Sequence, residues 1–464
     1  MTRCAALALV AVLSGWPGAV AAQQQHDNVL VVVADDVGVD RVAVYRESPD
    51  AGPTPVIDGL AARGVLFRHA YANPVCSPTR MAILTGRDGF RTGVGTGLSW
   101  GTGLGHGEFS PGPREVYLAE QLARSGYRTG AVGKWHLVTP EWKPDPYMQP
   151  VLVGGFDVHL GSMANLPLDD GGFFHWTKNL ATKAGAVQLE VDHYATSDNV
   201  DDALRLIGQW GDRPWFLWLA FNAPHAPWHV PPAALHTLPV DESSPDALLY
   251  RADLEALDTE LGRLLSSLPA DVRERTTVIF LGDNGTPEQV LPAPDKAGGD
   301  KGTAYEGGIR VPLIVSGARV VQPGREVWAL VDVVDLFDTV LELARAPDPA
   351  TGIDSMSLVP YLADPAAEPL RRWSFSEKFM PNGFEPPTEF QIGIRDERFK
   401  LVRRHYTVVG PGGPRGFDID ELYDLLADAH ETDDLLQPQP PSPEAAVAYA
   451  DLEEQLAVLL ATGP

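Results

Sequence analysis

The sequence predicts an α/β protein: a large, mostly parallel central sheet flanked by helices, followed by a smaller C-terminal α+β domain that carries an antiparallel sheet. Three observations predict it. Through the first 340 residues or so, short apolar runs alternate with helical patterns, the order of parallel strands joined by crossover helices. The run 28–34 is almost continuously apolar, as a strand covered on both faces must be. Beyond Ala346 the pattern changes to short strand-like pieces between Pro/Gly-rich loops, closed by one amphipathic helix.

Taken in order, Arg3, the apolar run Ala5–Leu13 and the small residues Ala19-Val20-Ala21-Ala22 read as a signal peptide over 1–22. That run is too short to span a bilayer, and no later run reaches the ~18 apolar residues a span needs. Cys4 precedes the run, so it is not placed like a lipid-anchor cysteine. The expectation is a soluble, exported chain, periplasmic or secreted. A large domain is expected over 23–346, with strands at Asn28–Ala34, Tyr127–Val132, Trp215–Phe221, Thr276–Leu281 and Val311–Val315. Leu254, Leu257, Leu261, Leu264 and Leu268 recur at helical spacing and should face the sheet. Asp332–Leu343 reads as a helix ending before Pro347 and Pro349. The segment Ala346–Thr351 marks the boundary to the smaller domain, 347–464. There, strands are expected at Trp373–Ser376, Gln391–Arg395 and Phe399–Arg403, and a helix at Ala445–Leu460.

The net charge is −26, and −27 once Arg3 is removed (35 Lys and Arg against 62 Asp and Glu). So acidic a body repels nucleic acid and anionic membrane. An anionic substrate would need its own local cluster of positive charge.

Polar groups follow several of the apolar strands. Asp35 and Asp36 close the first, Lys134 and His136 follow the one ending near Val132, and Asp283-Asn284-Gly285 follow Thr276–Leu281. Ligands gather at the carboxyl ends of strands in open parallel sheets. Adjacent carboxylates repel unless a cation joins them. Carboxylate and amide oxygens suit calcium or magnesium, and no set rich in histidine or thiolate points to zinc. Cys76 is the only cysteine left after the signal, so it has no internal disulfide partner. It opens Cys76-Ser77-Pro78-Thr79-Arg80 and precedes a helix-like run from Ser77 to Leu84, so its side chain would lie at a positive helix end, with Arg80 four residues on and able to reach back to the same face.

These residues resemble the formylglycine-dependent (type I) sulfatases, the arylsulfatase-like branch of the alkaline phosphatase superfamily. The likeness comprises Asp35-Asp36-Val37-Gly38, Cys76–Arg80 running on to Leu84-Thr85-Gly86-Arg87, and Gly133-Lys134-Trp135-His136-Leu137. It continues through Asn222-Ala223-Pro224-His225, Asp283-Asn284-Gly285, and Lys301-Gly302-Thr303 leading into Glu306-Gly307-Gly308-Ile309-Arg310. One departure is Val138, where a glycine is common.

The resemblance implies that a separate maturation enzyme oxidises Cys76 to formylglycine, an aldehyde. Asp35, Asp36, Asp283 and Asn284 would hold one calcium, or magnesium, together with the modified Cys76. Arg80, Lys134, His136, His225 and Lys301 would surround the sulfate. One hydroxyl of the aldehyde hydrate would attack sulfur, His225 or Lys301 would protonate the departing alcohol, and His136 would take the proton of the second hydroxyl to expel sulfate. The substrate implied is a small sulfate ester, aryl or carbohydrate.

Other readings compete. A phosphoryl group resembles sulfate in shape, so the same apparatus would suit phosphonate monoesters or phosphodiesters. A non-catalytic metal-binding or adhesion module would not need the full basic set. A two-zinc phosphatase lacks its histidine ligands. His225 and His229 mimic a metal-binding H-x-x-x-H pair, but Pro224, Pro227, Pro231 and Pro232 forbid the helix it requires. Asn284-Gly285-Thr286 is a glycosylation sequon that metal binding would preclude. Gly133-Lys134 lacks the Ser or Thr of a P-loop, and the seven glycines of 93–107 do not form G-x-G-x-x-G, which leaves a mobile loop or a lid. Trp100, His106, His175, Trp176, Trp228 and His229 are candidates to line a substrate pocket.

Overall fold

The computed structural model describes residues 27–98, 109–166, 172–291, 299–349, 354–410, 413–437 and 439–463. The expected signal peptide, and the part of the glycine run holding Trp100 and His106, lie outside the described residues.

Ten strands make the large sheet: β1 (Asn28–Ala34), β2 (Gly64–Tyr71), β3 (Arg128–Gly133), β4 (Val158–Gly161), β5 (Trp176–Thr182), β6 (Gly185–Val191), β7 (Trp215–Ala220), β8 (Thr276–Gly282), β9 (Leu313–Ser316) and β10 (Arg325–Asp332). Their order is β10-β2-β9-β8-β1-β7-β3-β4-β5-β6. β1 is central and parallel to both β7 and β8, and β3 extends the parallel set on to β4. Its seven residues are all buried, which is why 28–34 shows no polar alternation.

Alternate residues of these strands enter two cores. Val29, Val31, Val33, Trp218 and Leu281 meet the helices Cys76–Thr85, Leu118–Arg124 and Leu336–Ala344 on one face. Leu30, Val32, Leu219 and Phe280 meet Pro55–Ala62, Ala195–Trp210 and Asp246–Ser267 on the other. The helix-spaced leucines 254, 257, 261 and 264 are fully buried in this second core, with Leu268 just beyond the helix end. Each such side chain contributes about 1.5–3 kcal/mol of burial.

The structure corrects several boundaries. β9 is antiparallel to both β2 and β8, whereas the alternating pattern suggested a parallel strand. A parallel neighbour needs a crossover that returns the chain to the other end of the sheet. The connection from β8 to β9 instead stays at the carboxyl end: Gly282 N donates to Pro312 O, and Gly285 N to Gly308 O. The helix read from Asp332 begins at Leu336. Asp332 ends β10, and Asp332 and Asp335 form a capping box over an intervening 3-10 turn. The short helix Val359–Ala363, with Leu358, packs into the first core of the large sheet.

The second sheet is antiparallel, in the order β11 (Ser374–Met380), β12 (Glu389–Arg395), β13 (Phe399–Gly410), β14 (Gly413–Asp424). Helix Pro443–Ala461 covers it, burying Ala445, Ala448, Leu452 and Leu456 against Ile392, Ile394, Leu401 and Leu422.

Candidate active site

The register of the central strands builds the site. Ala34 of β1 faces Gly282 of β8, so the residues that follow, Asp35-Asp36 and Asp283-Asn284, emerge side by side. Asp283 N donates to Ala34 O, and Asp36 N to Asp283 Oδ1 at 3.1 Å. Asp36 has φ 69°, a left-handed conformation costly for a non-glycine residue. Tyr250 holds it there by donating its hydroxyl to the Asp36 carbonyl at 2.8 Å.

Cys76 is the first residue of the helix Cys76–Thr85 and is buried. Ligand atoms of Asp35, Asp36, Cys76 and Asp283 all lie within 4.8 Å of one another, and all four residues are buried. Among the described residues no other group of three or more His, Cys, Asp or Glu converges in this way. The Asn284 Nδ2 donates to Asp36 Oδ1 at 2.9 Å, while its Oδ1 is buried without a protein partner.

Three cations answer the three aspartates. Lys134, just past β3, donates to Asp35 and lies 3.6 Å from Cys76 Sγ. Arg80, one turn along the Cys76 helix, gives Nε and Nη2 to Asp283 Oδ2 at 3.0 and 2.7 Å and Nη1 to the Lys134 carbonyl at 2.8 Å. Lys301 Nζ reaches Asp36 Oδ2 at 2.7 Å. Burial would raise the carboxyls of Asp35 and Asp36. The cations outweigh it, chiefly Lys134 for the first and Lys301 for the second, and hold both below the ordinary range. Burial pushes the Cys76 thiol far up.

Two histidines complete the ring. His225 Nδ1 lies 2.7 Å from the Ala226 carbonyl, which can only accept, so Nδ1 carries the proton and Nε2 faces Asp36 Oδ2 at 3.7 Å. His136 has φ 61° and is fixed through its backbone: its N donates to Met163 O, and its carbonyl accepts from Ser77 Oγ at 2.7 Å. Its Nδ1 is buried without a partner. Burial, then the surrounding cations, lowers the His136 pKa well below normal; burial also lowers that of His225.

Every residue nominated from sequence to hold the metal or surround the sulfate therefore lies in or beside one cluster. The supports were not nominated: Ser77, Tyr250, and Ser162, whose Oγ bonds the Asn222 amide at 3.1 Å. Ser77 lies inside the cysteine motif and was open to notice. Tyr250 and Ser162 carry no local signal, because their partners are distant in sequence. Among the pocket candidates, Trp176 is buried on β5 and His175 sits exposed on Asp192. His229 stacks on Phe173, 4.4 Å between ring centroids, and touches Tyr194 and Asp253.

The sulfatase family model matches residues 27–346, and that of the N-sulphoglucosamine sulphohydrolase C-terminal region matches 298–460. The chain is 31% identical to N-acetylgalactosamine-6-sulfatase of Canis lupus familiaris over 383 residues, 76% of this chain and 69% of that protein. It is 32% identical to human arylsulfatase A over 376 residues, 74% and 69% of the two chains. The solved PsFucS1 sulfatase from Pseudoalteromonas sp. superposes with a TM-score of 0.73 at 22% identity, covering 95% of this chain and 92% of that one. A phosphonate monoester hydrolase of Agrobacterium radiobacter shares the fold at 0.66 and 22% identity, covering 93% and 95%. On the family match and the curated relatives, the chain belongs to the sulfatases, hydrolases of sulfate esters.

Proposed function

We propose that the chain hydrolyses monoesters of sulfuric acid with small alcohols, aryl or carbohydrate. It would use Cys76 after conversion to formylglycine, and one calcium or magnesium ion. The observation that carries this is the buried convergence of Asp35, Asp36, Cys76 and Asp283 beside the unpartnered Asn284 Oδ1, inside a ring of Arg80, Lys134 and Lys301. The donor set suits a hard cation, since three carboxylates converge there and a buried amide oxygen beside them has no protein partner. A soft thiol is the misfit among them, and an oxygen-bearing carbon in its place removes the mismatch.

Once in place, the ion and the hydrated aldehyde supply an oxygen nucleophile near neutral pH. The residues of the chain do the rest. Lys134 and Lys301 hold fixed positive charge where the sulfuryl oxygens gather negative charge. Arg80 locks Asp283 through two N–H groups and cannot lose its own proton. Lys301, kept charged by Asp36 despite burial, gives a proton to the departing alcohol; His225, whose pKa burial lowers and whose one proton sits on Nδ1, can do so only after Nε2 is protonated as well. His136, kept neutral by burial, has an open Nδ1 on which to take one.

Mass spectrometry of the Cys76 peptide tests the first step: it should show sulfur replaced by a carbonyl oxygen. Cys76→Ser should keep fold and metal affinity but lose turnover, because a serine lacks the second hydroxyl; a fully active serine variant would contradict the mechanism. Parallel rates on an aryl sulfate and an aryl phosphonate decide between this reading and a phosphonate hydrolase. The proposal also makes the chain exported, periplasmic or secreted, on the strength of residues 1–22. N-terminal sequencing of the mature protein should then begin just past Ala22.

A further inference from the structure

The smaller domain places one cation at the edge of this cluster. Lys378 of β11 donates from Nζ to the Gly302 carbonyl at 3.1 Å. Gly302 is the neighbour of Lys301, and its own N donates to Pro74 O at 2.8 Å, two residues ahead of Cys76. One stretch of backbone therefore joins the start of the cysteine helix, the Lys301 ammonium and β11. The end of β11 also covers the segment that follows the helix: Phe379 N donates to Gly95 O at 2.9 Å, and Asn382 Oδ1 accepts from Gly95 N and Thr96 N.

Lys378 differs from the other described lysines of this acidic chain. Lys134, Lys178, Lys183, Lys301 and Lys400 each lie within 4.0 Å of a carboxylate. Lys143 has no such partner among the described residues but is exposed. Lys378 is half-buried, and among the described residues no carboxylate comes within 4.0 Å of it. An ammonium has three donors, and the Gly302 carbonyl takes one. A cation held partly out of water without a counter-ion is an unfavourable arrangement that an arriving anion relieves.

We propose that Lys378 is a specificity residue that binds a second anionic group, a carboxylate or a second sulfate, on the alcohol part of the ester, so that the preferred substrate is a dianion. This rests on the sulfatase reading and names its substrate class. The plainer role, a tether for the Lys301–Gly302 turn, would affect every substrate alike.

The test uses the mature full-length enzyme and three fluorogenic esters: methylumbelliferyl sulfate, and its analogues in which the methyl group is carboxymethyl or sulfomethyl. All three present the same scissile bond. The enzyme should favour at least one charged analogue by about fivefold in kcat/KM, expressed in KM and shrinking as salt is raised. The better of the two charged analogues identifies the anion. Lys378→Ala should bring that ratio close to one, and Lys378→Arg should restore most of it. A wild-type ratio near one, an unchanged ratio in Lys378→Ala, or equal losses on all three esters would each overturn the proposal. If the wild type, with Cys76 shown to be converted, turns over none of the three, the reading of the chain as a hydrolase of aryl sulfates falls and this one with it.

Discussion

Asn284 stands in two relations at once: its amide nitrogen steadies Asp36 and the Gly285 carbonyl, and its oxygen is buried without a hydrogen-bond partner. Asn284→Ala removes both. Calcium titration calorimetry, which needs no turnover, should show affinity lowered by about 10–100-fold, the usual effect of disturbing a metal ligand or its support. An unchanged affinity would remove Asn284 from the ligand set. Asn284, Asp35, Asp36 and Asp283 were legible in sequence because each follows an apolar strand, and polar residues just past buried parallel strands have few structural reasons to be there. Tyr250 was not legible. Its hydroxyl finds Asp36 only because the helix Asp246–Ser267 lies across the sheet, 214 positions along the chain.

The strands and helices carrying these residues are constrained by close backbone approach. A Cβ on Gly285 would fall 1.8 Å from Gly307 O, and one on Gly133 would fall 1.9 Å from Ala220 O at φ 88°. Backbone on the other side cannot yield as a side chain would. Gly285→Ala should therefore destabilise by about 3 kcal/mol in denaturant titrations and lower cation affinity with it. Leu257→Ala, in the sheet-facing row of its helix, should cost about 2–5 kcal/mol. Val447→Ala, on the 71%-exposed side of the last helix, should stay within about 0.5 kcal/mol. Equal effects at Leu257 and Val447 would show that helix faces are misassigned. The same contrast explains which elements could be read in advance. β1, β7 and β8 are wholly buried and so almost continuously apolar, with Asn28, Thr276 and Thr277 only at strand starts. β10 and β14 are edge strands whose exposed residues mix charge with apolar groups, as in Arg325–Asp332 with Trp328 62% exposed, and they give no clear run.

Across the whole molecule, the two sheets are joined by buried charge, and its balance makes stability depend on pH. Glu377 of β11 accepts from Phe90 N at 2.7 Å, and its own N donates to Asn73. Around it lie Asp88, Asp354, Asp332 and Asp335, with Arg91 on Asp354 and Arg371 on Asp335 as the cations. Five carboxyls face two guanidiniums, so protons must be retained. Burial, with Asp354 adding to it, raises Glu377 to about 8; burial, with Asp335 adding to it, raises Asp332 to about 7. A second junction, Lys400 between Glu306 and Glu431, behaves similarly, with Glu431 raised to about 7 by burial and by Glu306. Groups raised in the fold bind more protons there than in the unfolded chain. Their contribution is complete below the carboxyl range near pH 4 and is lost as pH rises through 7 to 8. Glu306 has the opposite sign, lowered to about 2, and its contribution fades only in strong acid. Tm should therefore fall by roughly 3–6 °C between pH 6 and pH 9, since a chain of 464 residues shifts by about 1 °C per kcal/mol. Glu377→Gln keeps an acceptor for Phe90 N but has no proton to lose, so it should flatten that fall. A Tm that rises toward pH 9, or an equally steep fall in Glu377→Gln, would show that the junction is not where the alkaline sensitivity resides.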